Sequence, residues 1–207
     1  MPIWFFPLVA PTVSLLGLIF VVMMVARDRE SEPLSWPMVI VCAAVILLLV
    51  WGIHDTPAEP AGWLSAAAIG VGFLCWGVWD QRAYLFGSAG PELGHVQPSG
   101  QSLVGNMLIA ATEELLFRGF MQSSVIGIFN GPGGAVMALF AVNLAFALMH
   151  ANRGMTFALS AGFFGMIMSM TVILSGSVWI AVATHVAWNL LVGLSRRRAA
   201  AMVDGAA

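Results

Sequence analysis

The sequence predicts an all-α fold: a polytopic transmembrane helix bundle of about seven spans, with the N-terminus outside and the C-terminus cytoplasmic. Three observations carry this. Of the 207 residues, 60% are hydrophobic and only 9% charged, against about 25% charged in soluble globular domains. Mean hydropathy is +0.93. Seven of the eight arginines follow alternate apolar runs. The same composition excludes an ordinary soluble enzyme, a disordered chain, collagen and a coiled coil. With no lysine and a formal net charge of -2 it also argues against a nucleic-acid partner.

Taking about 20 apolar residues as the length that crosses the hydrocarbon core, the spans are residues 3–25, 36–53, 62–79, 102–128, 134–151, 155–174 and 177–195. The first has no basic residue ahead of it, and its run exceeds the roughly 7–15 residues of a signal-peptide core, so it reads as an anchor. Polar or Gly/Pro-rich stretches separate the spans: Arg27 to Pro33, His54 to Pro60, Asp80 to Gln101, Asn130 to Gly134, Asn152 to Gly154 and Ser175 to Ser177. Arg27 and Arg29 follow the first span, Arg82 the third, Arg153 the fifth, and Arg196, Arg197 and Arg198 the seventh. All lie on one side, and positively charged loops face the cytoplasm.

The chain therefore divides into residues 1–101, three N-terminal spans and a cytoplasmic loop; 102–195, a four-span core; and 196–207, a basic cytoplasmic tail. The expected location is a cell membrane, multi-pass, of prokaryotic type. Cys42 and Cys75 sit in apolar runs and read as small buried hydrophobes, not a disulfide framework. Gly154, Ala158, Gly162, Gly165 and Ser169 form a small-residue stripe expected to serve helix packing.

The eighth arginine breaks the pattern. Arg118 lies inside the fourth span with Glu113 and Glu114. A charge at a helix centre costs about 2.5–3.5 kcal/mol on insertion scales, so such groups pair and face the protein interior. Successive helical residues turn about 100°. Glu114 and Arg118, four apart, can form an ion pair, with Gln122 a turn beyond. Glu113 points elsewhere, on the face of Asn106, and is left to handle a proton.

A structural charge cluster is the plain alternative. Two histidines favour a site. His150 closes the fifth span one turn after Phe146, with Asn143 on the same stripe, and His185 lies within the seventh span one turn before Asn189. His54 and His95 lie in loops and read as solvated.

Glu113, Glu114 and Arg118, then Phe146 with His150, then His185 with Asn189 together resemble the three-motif signature of the CAAX protease and bacteriocin-processing (CPBP) family. These are intramembrane endopeptidases related to the type II CAAX prenyl protease. The likeness covers roughly residues 102–195. It implies that Glu113 and His150 activate a water while His185 and Asn189 steady the oxyanion, supported by Glu114, Arg118 and Phe146. It further implies a membrane-associated or lipidated peptide substrate, although related bacterial proteins are linked to peptide maturation or bacteriocin self-immunity. Oligomeric state is not legible.

No cofactor is preferred. If a metal is used, Glu113, His150 and His185 would bind Zn²⁺ as three ligands with water as the fourth, but there is no HExxH and each ligand comes from a different helix. Two further classes share these residues. One is a non-catalytic immunity or scaffold protein that keeps the fold, and the other is a small transporter or proton relay, which lacks the paired broken helices such proteins show.

Overall fold

The structure is a computed structural model and describes residues 10–26, 36–52, 59–86 and 103–204. Arg27, Arg29, His54 and His95 lie outside the described residues. Within them every regular element is helical: α1 (Ala10–Ala26), α2 (Trp36–Gly52), α3 (Pro60–Asp80), the short α4 (Arg82–Phe86), α5 (Leu103–Glu114), a π-helical segment (Leu115–Gln122), α6 (Ser123–Phe129), α7 (Gly131–Met149), a 3-10 turn (Ala151–Arg153), α8 (Met155–Ser175) and α9 (Trp179–Asp204). Three of these are long and apolar enough to cross a membrane, Pro60–Asp80, Gly131–Met149 and Met155–Ser175, and α1 and α2 contain shorter apolar stretches.

The distribution of side chains is inverted relative to a soluble protein. Leu64, Leu47 and Phe163 are 72%, 70% and 67% exposed, while Glu114, Arg118 and Gln122 are fully buried. Apolar residues pointing outward around a polar centre are what a hydrocarbon solvent requires. The chain is a membrane protein.

Element boundaries follow local chemistry. Pro60 and Pro132 sit in the first turns of α3 and α7, where a missing N–H costs nothing. Gly154, at φ 101°, reverses the chain between the 3-10 turn and α8, a conformation closed to residues with a Cβ. It belongs to the small-residue stripe by spacing but has no neighbour within 4 Å of where a Cβ would stand, so its role is the turn and not helix contact. α9 differs from the sequence expectation in length. It continues through the three arginines to Asp204, since Arg and Ala are strong helix formers and residues 196–204 contain no Gly or Pro.

α9 packs against α5, α3 and α8; α7 packs against α8; α2 lies over α5 and the π segment. The approach of α3 to α9 is close because Gly77 carries no side chain: a Cβ there would overlap the Trp188 ring. This ring stacks on Trp76 at 5.9 Å and meets Phe73 at 4.9 Å. Cys42 is buried as expected, but Cys75 is exposed, because the face of α3 bearing Gly70 and Gly77 is the one turned inward.

Candidate active site

The fourth predicted span is not one regular α-helix. α5 ends at Glu114, and the next eight residues adopt i→i+5 geometry, a rare form found mostly at functional sites. The wider turn rotates the chain less per residue than an α-helix. Arg118 and Gln122 thereby both come to face α7 and α8. Arg118 Nη2 donates to Asn143 Oδ1 at 2.9 Å, and Gln122 Nε2 donates to the Ser169 carbonyl at 3.3 Å.

The predicted ion pair is present: Arg118 Nε lies 3.4 Å from Glu114 Oε2, both side chains fully buried. The guanidinium also sits 4.3 Å over the Phe146 ring, which meets Phe117 edge-on at 5.2 Å. Glu114's other oxygen is 2.8 Å from His185 Nδ1. A carboxylate paired with arginine only accepts, so this bond puts a proton on Nδ1 and turns Nε2 toward Glu113.

His150 owes its orientation to the way α7 stops. Its own N–H turns to the Ala147 carbonyl at 3.0 Å. The Phe146 carbonyl, four residues back, instead takes the ring's Nδ1 at 2.8 Å. A carbonyl also only accepts, so His150 too presents Nε2 away from its anchor.

Both rings converge on Glu113. Its Oε1 is 3.8 Å from His150 Nε2 and its Oε2 is 3.7 Å from His185 Nε2. These gaps exceed a direct hydrogen bond and suit one small bridging group. Glu113, His150 and His185 are 3%, 6% and 6% exposed, and that residual exposure is into one cavity of about 830 Å³, which Asn106 and Asn189 also line. Asn189 Nδ2 donates to the Asn106 carbonyl at 3.2 Å, which fixes the amide on the wall of that cavity. Arg153 and Arg196 line the same cavity, Arg153 stacked 5.1 Å over Phe157.

The structure thus brings Glu113, His150, His185 and Asn189 to one cavity, with Phe146 on its wall, and Glu114 and Arg118 to the packed layer behind it. Among the described residues no group of three or more His, Cys, Asp or Glu side chains is arranged to hold a metal ion. Two hydrogen-bonding roles were not read from the sequence. Asn143, assigned to the stripe of His150, serves Arg118, with its Nδ2 on the Leu139 carbonyl at 2.6 Å and Ser169 Oγ at 2.8 Å. Ser169, assigned to packing, is the far end of that chain. A buried guanidinium needs more acceptors than one glutamate provides, and Asn143 is the one amide on α7, so that demand was the available signal.

Fold and site together define a helical membrane protein with a buried acid and two imidazoles open to a shared cavity. Residues 96–191 match the family model of Rce1-like proteins, type II CAAX prenyl endopeptidases, and this part of the chain is related to that CAAX protease family. The match spans a little under half of the chain and contains Glu113 through Asn189. No curated protein and no solved structure matches the chain.

Proposed function

We propose that this protein is an intramembrane endopeptidase that hydrolyses a peptide bond of a membrane-associated or lipidated peptide. The observation that carries the reading is the placement of Glu113 between two imidazole Nε2 atoms, at 3.8 and 3.7 Å, on the wall of a cavity. A water held by Glu113 and His150 gives its proton to the carboxylate as its oxygen bonds to the substrate carbonyl carbon. The carbonyl oxygen becomes the oxyanion, with the Asn189 amide and the Nε2–H of a His185 imidazolium, held through Nδ1 by Glu114, as donors. Glu113 returns the proton to the amide nitrogen as the C–N bond breaks, releasing an acid and an amine.

Seven spans, a cytoplasmic C-terminus and a prokaryotic cell membrane complete the proposal. Arg153 and Arg196 line the cavity beside the α7–α8 turn and two helical turns beyond Asn189, and by the positive-inside rule they put its mouth on the cytoplasmic side. Peptide enters there. Catalysis is assigned without metal, a reading supported by the lack of an HExxH pair and by the origin of Glu113, His150 and His185 on three different helices.

The test is cleavage of a library of membrane-anchored peptides by detergent-purified protein, with bound zinc quantified in the same sample. Cleavage unaffected by chelator and substoichiometric zinc are expected. Stoichiometric zinc lost together with activity overturns the metal-free assignment, and absence of cleavage across the library counts against the endopeptidase.

Asn189→Ala is expected to lower kcat by about 100-fold with KM nearly unchanged, since one oxyanion donor is typically worth roughly 100- to 1,000-fold and acts only in the transition state. The amide is only partly buried, so the thermal midpoint should hold. A rise in KM alone would reassign Asn189 to substrate binding.

A further inference from the structure

Behind the reacting carboxylate runs a chain of polar contacts that crosses from the π segment into α7 and α8. Glu114 accepts from His185 Nδ1 at 2.8 Å and lies 3.4 Å from Arg118 Nε. Arg118 Nη2 donates to Asn143 Oδ1 at 2.9 Å. The orientation of the Asn143 amide is set on its other side, where Nδ2 meets two acceptors, the Leu139 carbonyl and Ser169 Oγ. Only the oxygen is then left to face the guanidinium. Space for this clasp comes from Gly165: a Cβ there would overlap Arg118 Nη2 and press on Asn143 Oδ1.

Arg118 has two carboxylates on its own helix, at i−4 and i−5. A flexible arginine released from Asn143 can swing from Glu114 toward Glu113. That move would pair the group that must accept the water's proton, and would strip Glu114 of the cation that keeps it an acceptor for His185. An asparagine suits this position better than an aspartate. A carboxylate would compete with Glu114 for the guanidinium and would face the Leu139 carbonyl without a proton to share.

We propose that Asn143 is a positioning residue: by holding Arg118 it keeps that cation on Glu114 and off Glu113, and so fixes the His185 ring with a proton on Nδ1 and with Nε2 toward the reacting site. Its catalytic consequence rests on the endopeptidase reading. The placement of the His185 proton does not.

The experiment uses the full-length protein in detergent micelles, labelled with ¹⁵N-histidine, with the His185 resonances assigned by their loss in His185→Gln. In the wild type Nδ1 is protonated. In Asn143→Ala a population without the Nδ1 proton is expected, together with a fall in kcat of roughly 10- to 100-fold at unchanged KM, the scale of a small misplacement of a catalytic group. Asn143→Asp is expected not to restore either value. Ser169→Ala reads the same chain one bond further out, with both effects in the same direction and smaller, and it decides the matter if Asn143→Ala does not fold. A wild-type ring in a folded variant overturns the proposal, whatever happens to kcat. A shifted ring with wild-type kcat overturns its catalytic half. If the wild type cleaves no peptide, the ring measurement still reads the clasp, so failure of the endopeptidase reading and failure of the clasp are told apart.

Discussion

Glu113→Gln is expected to reduce peptide cleavage by at least about 1,000-fold while the protein inserts normally and unfolds at the wild-type temperature. The amide has the same shape as the acid and turns its oxygen toward one of the two histidines and its NH2 toward the other, so packing is untouched. It has no basicity with which to take a proton from water, and general-base catalysis is worth roughly 100- to 10,000-fold. Glu113 is the member of the cluster whose removal should spare stability. Its neighbours are two imidazoles at 3.8 and 3.7 Å, whereas the arginine is engaged with Glu114 and Asn143. The variant therefore separates chemistry from architecture. An immunity or scaffold protein would keep its cellular effect with glutamine at 113. Cleavage at the wild-type rate would remove Glu113 from the reaction.

The parts of the site that were legible in the sequence are those governed by helical spacing within one segment. Glu114 with Arg118 and Phe146 with His150 are each four residues apart, and both pairs meet, the second within the regular α7 helix and the first across the start of the wider π turn, which still leaves the two side chains in reach. Glu113 could be told from Glu114 by the same rotation, before any tertiary contact was known. The π segment was not legible. Nothing in Leu115 to Gln122 distinguishes i→i+5 from i→i+4 bonding locally; the wide turn is sustained by what Arg118 and Gln122 reach on α7 and α8. Long-range partners failed for the same reason. Periodicity placed Asn143 on a face shared with His150, but which element opposes that face is decided by how α7, α8 and the π segment pack. Cys75 shows the limit of apolarity as a guide to burial: in a bilayer an apolar side chain is as well placed facing lipid as facing protein.

Arg118→Ala is expected to destabilise the protein by about 3–5 kcal/mol, the usual result of removing one partner of a buried ion pair. That corresponds to a thermal midpoint lower by roughly 10 °C for a chain of this size. Three losses add. Glu114 is left as a buried carboxylate without its cation, Asn143 Oδ1 loses its donor at 2.9 Å, and the face of Phe146 loses the guanidinium at 4.3 Å. Arg118 is also among the largest fully buried side chains, so truncation opens a void. Glu114→Gln should be milder in volume but similar in electrostatics, because it strands the arginine instead. The double variant Glu114→Gln with Arg118→Met removes both charges and refills the space. It should therefore be more stable than Arg118→Ala alone, with cleavage still impaired because the His185 ring has lost its ionised acceptor. Midpoints of Glu114→Gln, Arg118→Met and the double, taken with cleavage rates in the same micelles, close a double-mutant cycle. Strict additivity, or a fully active Arg118→Ala protein with the wild-type midpoint, would show that the buried pair supports neither the fold nor the site.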